Sequence, residues 1–104
     1  MADLTQEQWT DKMNSIPEAI ILDVRTDAEV AEGYIRGARQ MDISDPPGFM
    51  STMDELDPDA TYLIYCRSGS RSGQACALFK SRGFKEVYNL IGGILEWRGE
   101  LVNP

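Results

Sequence analysis

Apolar residues along this 104-residue chain fall in short runs, separated by stretches patterned for helices. "AIILDV" (19–24) is a nearly continuous apolar run, as a buried parallel strand requires. "TYLIYC" (61–66) is the clearest strand, rich in β-branched and aromatic side chains. "KEVYNL" (85–90) predicts another strand and "GARQMDI" (37–43) a weaker one. "TQEQWTDKMNS" (5–15) reads as a helix, with Thr5 as N-cap and Gln8 closing a capping box. "TDAEVAEG" (26–33) predicts a short helix capped at Thr26 or Asp27 and stopped by Gly33. Residues 44–60 read mostly as connection, broken by Pro46-Pro47-Gly48, with a short helix near 49–55. From Ser70 to Arg82 the spacing of Ala75, Leu78 and Phe79 predicts a helix, with Gly83 as its stop. "GGILEWRGEL" (92–101) predicts a final amphipathic helix that buries Ile94, Leu95 and Trp97. Strands alternating with helices imply an α/β fold around a mainly parallel sheet. With no repeat or linker, one domain spanning 1–104 is expected.

Composition narrows the class. With 42% hydrophobic and 26% charged residues the chain is globular rather than disordered. No apolar run approaches the roughly 20 residues that cross a bilayer. "MADLTQEQW" lacks the basic and apolar regions of a signal peptide, so the cytoplasm is the expected compartment. A net charge of −7 argues against nucleic acid or an anionic membrane as partner. That charge is uneven: residues 1–60 carry −10 and residues 61–104 carry +3.

The basic part contains the stretch richest in candidate chemistry, "YCRSGSRSG" (65–73). Cys66 ends a strand, where open α/β sheets bind ligands. Its loop feeds directly into a helix N-terminus, whose free N–H groups and dipole favour an anion. Gly69 lets the backbone curl so that successive amides point inward. Arg67 and Arg71 add positive charge, and a cysteine so placed loses its proton more easily. The chain has two cysteines and no histidine, which excludes most zinc schemes and any Cys–His pair. Cys76 lies too far inside the helix to reach Cys66 and is expected to be a buried free thiol. A plain strand cysteine followed by a polar turn is the bland alternative. It leaves the arginines, the glycine and the helix start as coincidence.

"ILDVR" (21–25), "EVAEGYIRGA" (29–38), "CRSGSRS" (66–72) and "GFKEVYNLIGGILEW" (83–97) occur in that order. Together they resemble the single-domain rhodanese family of sulfurtransferases. The resemblance implies a rhodanese-like fold, its mainly parallel central sheet flanked by helices on both faces. It implies that Cys66 holds sulfur as a persulfide, and that Arg67, Ser68, Gly69, Ser70 and Arg71 bind substrate through loop amides and positive charge. Arg25 stands where some members use an arginine toward the substrate; an ion pair with Glu29 or Asp27 is its alternative role. Asp23 is expected to anchor loop backbone. Tyr34 replaces the histidine of the family pattern G-H-I, a position that reads as structural.

The expected reaction moves a sulfane sulfur from a small anionic donor such as thiosulfate to a thiol or cyanide-like acceptor, with a protein thiol also open. No cofactor or metal is expected, and a monomer is. Relatives of this fold that hydrolyse phosphate esters or reduce arsenate carry C-x5-R loops, against C-x4-R from Cys66 to Arg71 here. The shorter cradle suits a sulfur atom better than a phosphoryl group. A carrier or interaction module serving a protein partner is the remaining alternative.

Overall fold

The computed structural model describes residues 3–104. Its centre is a parallel five-stranded sheet of β1 (Asp3–Leu4), β6 (Glu86–Leu90), β5 (Thr61–Tyr65), β2 (Ile20–Asp23) and β4 (Arg39–Gln40), in that spatial order. Strand β5 is the spine, and its side chains alternate between two cores as the period of a strand demands. Tyr62, Ile64 and Cys66 face Phe49 and Met53 of α3 (Pro46–Glu55) and Ala75, Cys76 and Phe79 of α4 (Ser70–Ser81). Leu63 and Tyr65 face the other way, onto Trp9 of α1 (Gln6–Ser15). Helices therefore cover both faces of the sheet.

Local chemistry accounts for the helix starts. Thr5 and Gln8 form the capping box of α1, and Thr26 and Glu29 form one at α2 (Asp27–Ala31). Helix α3 begins three residues before the expected 49–55, because Asp45 caps it through the Gly48 amide. Pro46 and Pro47 occupy its first turn, where their missing N–H groups cost nothing.

The C-terminal segment departs from expectation. Instead of a helix over 92–101 there is a 3-10 turn at Gly93–Glu96, followed by a strand at Leu101–Val102. That strand, β7, pairs antiparallel with β3 (Tyr34–Ile35). Gly92 and Gly93 both have positive φ, 82° and 58°, which no α-helix accommodates. Leu95 is consequently 59% exposed rather than core, and on α4 Leu78 is 38% exposed while Cys76 turns inward instead. No helix among the described residues is long and apolar enough to cross a membrane.

The register of the central pair places the site. Asp23 of β2 lies opposite Tyr65 of β5, so the segments leaving both strands emerge side by side at the carboxyl end of the sheet. Cys66 and Arg25 leave the sheet there.

Candidate active site

The loop Cys66–Gly69 joins β5 to α4. Gly69 takes φ +105°, a conformation that L side chains avoid, and turns the chain into the helix. The turn points the amides of Ser68, Gly69 and Ser72 at the Cys66 sulfur. The Gly69 amide donates to Sγ at 3.1 Å, and the Ser72 hydroxyl stands 3.3 Å from it. The side chain is 1% exposed. Burial alone pushes this thiol up; the Ser72 hydroxyl and the amides of Ser72, Gly69 and Ser68 outweigh it and hold the thiol below its ordinary value.

The sequence points to the loop amides, the helix start and the arginines as partners of the thiol; the amides and the Ser72 hydroxyl do most to lower it. Ser72 carries no signal as a partner in the sequence because it lies in the first turn of the expected helix rather than in the loop. Only the helical geometry of α4 returns its hydroxyl to Cys66. Asn89 of β6 was equally hidden: it faces Ser72 across 17 residues of sequence.

Arg71 is committed elsewhere. Its guanidinium makes a bidentate pair with Glu29 of α2, at 2.7 and 2.8 Å. The Arg71 hydrogen bond, opposed by partial burial, brings the Glu29 carboxyl down to about 2. The pair ties the start of α4 to α2 and leaves Arg71 largely neutralised. Arg67 is exposed and makes no ion pair among the described residues. It is the loop's free cation.

Arg25 is 4% exposed, and its ion-pair partner is Asp23, at 2.7 Å, rather than Glu29 or Asp27. It also donates to the carbonyls of Gly33 (2.8 Å) and Glu29 (3.4 Å). Asp23 accepts from the Arg25 amide and from the Tyr65 hydroxyl, at 3.0 and 2.6 Å. Together they form a buried post beneath the Cys66 loop. Arg25 and Arg67 nonetheless line one open cleft of ≈350 Å³ with Glu29, Glu32, Leu95 and Leu101. Ser68 and Ser70 are exposed at the loop surface.

The 3-10 turn closes the loop from the other side. The Ile94 amide donates to the Cys66 carbonyl (3.0 Å) and the Leu95 amide to that of Arg67 (3.1 Å). A side chain at Gly93 would place its Cβ 2.4 Å from the Arg67 carbonyl oxygen, so only glycine allows this approach. Cys76 is a free thiol buried in the core, where burial pushes it up to about 12.

Residues 5–100 match a family model described as "Rhodanese-like domain". The chain belongs to this family. A "Sulfurtransferase" of Allochromatium vinosum is 38% identical to this rhodanese-like chain, over 91% of the chain and 86% of the relative. A rhodanese-like domain protein of Staphylococcus aureus superposes with a TM-score of 0.84 at 28% identity, covering 100% of this chain and 99% of that one. The chain also spans 30% of a "tRNA uridine(34) hydroxylase" of Acaryochloris marina, at 32% identity over 88% of its own length.

Proposed function

We propose that this rhodanese-like domain is a sulfurtransferase that carries sulfane sulfur as a persulfide on Cys66. The observation that carries this reading is a buried thiol, in a chain without histidine, whose donors are a backbone amide at 3.1 Å and the Ser72 hydroxyl at 3.3 Å. Such donors stabilise a negative sulfur whether it belongs to thiolate or persulfide. The thiolate attacks the outer sulfur of thiosulfate. The donor's S–S bond breaks, sulfite leaves with the electron pair, and Cys66–S–S⁻ remains. A thiolate or cyanide then takes the outer sulfur, and the Cys66 thiolate is regenerated with the returning pair.

A side chain so covered favours a donor that presents one terminal atom over a bulky ester. Arg67 is the residue placed to meet the donor's charge, at the edge of the cleft. The acceptor is a small thiophile or a thiol on a partner protein, the setting the cytoplasm, and the working unit a monomer.

Intact-protein mass spectrometry after thiosulfate treatment tests the reading. One added sulfur is expected, removed by cyanide and absent in Cys66→Ser. No adduct, or an adduct on Cys76, overturns it.

A further inference from the structure

Ser72 has one hydroxyl proton and two acceptors within reach. One is the Cys66 sulfur at 3.3 Å; the other is Asn89 Oδ1, closer still. The orientation of Asn89 is set by its other end. Its Nδ2 donates to Asp3 Oδ1 (2.9 Å) and to the Gly69 carbonyl (3.1 Å), so its oxygen must face Ser72. All three side chains are nearly buried, which leaves little water to replace a lost partner.

We propose that Asn89 sets the direction of the Ser72 hydroxyl, making it a two-position switch on Cys66. With a neutral thiol, the hydroxyl donates to Asn89 Oδ1 and its oxygen can accept from S–H. With an anionic sulfur, thiolate or persulfide, the hydroxyl turns to the sulfur and Asn89 Oδ1 gives up its donor. Asn89 thus acts through Ser72 as a positioning residue that holds back ionisation. The charged and titratable groups around the pair are Asp3 on β1, Arg67 beside Cys66 in the loop, Arg71 paired to Glu29, and Cys76 on α4. None of them supplies or takes the Ser72 proton.

The two residues therefore have opposite effects on the ionisation of Cys66, and the test does not depend on sulfur transfer. The readout is the pH midpoint of Cys66 alkylation. Ser72→Ala should raise it by about one unit, the scale of a hydrogen bond to a charged group. Asn89→Ala should lower it by roughly half a unit in the natural background and leave it unchanged in Ser72→Ala. A purely structural Asn89, needed only to hold the Gly69 carbonyl, predicts a rise in both backgrounds. A rise, no change, or a shift that persists in Ser72→Ala overturns the proposal. If Asn89→Ala does not fold, infrared spectroscopy decides. At low pH, the S–H band that Cys66→Ser removes should move in Ser72→Ala, and a band that stays in place refutes the switch.

Discussion

Arg67 and Arg71 look interchangeable in "CRSGSRS", yet the structure gives them different work. Arg71 is held by Glu29. Arg67 stands exposed at the cleft and, in the proposed function, meets the charge of the donor. An exposed charge contact contributes about 1 kcal/mol, so Arg67→Ala should raise KM for thiosulfate roughly fivefold with little change in kcat. Raising ionic strength should shrink that difference, because the contact is screened. Steady-state kinetics at two salt concentrations checks it; a loss confined to kcat would contradict the assignment. At this scale the sequence showed Cys66, Gly69 and both arginines, since strand end, glycine and helix start are local signals. Ser72 and Asn89 were illegible, because their meeting depends on how α4 lies across β6.

The link between α2 and α4 makes the site sensitive to acid. Glu29 titrates near 2 in the folded protein, against about 4.5 unfolded. A lowered carboxyl stabilises the fold fully above about pH 4.5, and that contribution fades as pH falls toward 2. Glu29→Gln should therefore cost about 1 kcal/mol at neutral pH, as expected for a part-exposed pair. The gap in Tm from the natural protein should close between pH 4.5 and 2, and thermal unfolding across that window measures it; a constant gap would show that the pair adds nothing. The same scale explains what pattern reading caught and lost. Runs of four or five apolar residues marked β2 and β5, a capping box marked α1, and a cap at Thr26 or Asp27 marked α2. Strands β1, β3, β4 and β7 are two residues each, too short for periodicity to register, and of these only β4 falls within a stretch read as a strand. The amphipathic spacing of Ile94, Leu95 and Trp97 imitated a helix, while Gly92 and Gly93 had already turned the backbone toward the Cys66 loop.

In the molecule as a whole, the Cys66 loop stands where two cores and three distant segments meet. Its base is the post of Asp23, Arg25 and Tyr65, its side is α4, and its cover is the turn at 93–96. That cover lies well after Cys66 in the sequence, which gives the thiol a history. A ribosome makes the protein from its N-terminus, so Cys66 emerges well before the residues that clamp its carbonyl and that of Arg67. Until those residues emerge, Cys66 should remain an ordinary, mostly protonated thiol. Stalled ribosomal complexes can show this. A nascent chain displayed only through Leu90 should be alkylated with the pH midpoint of an unperturbed cysteine, and one displaying all 104 residues at a lower pH. Equal midpoints would mean that the late turn is not needed. If they differ, the order of synthesis itself protects the sulfur, which becomes reactive only once there is a finished pocket to direct it.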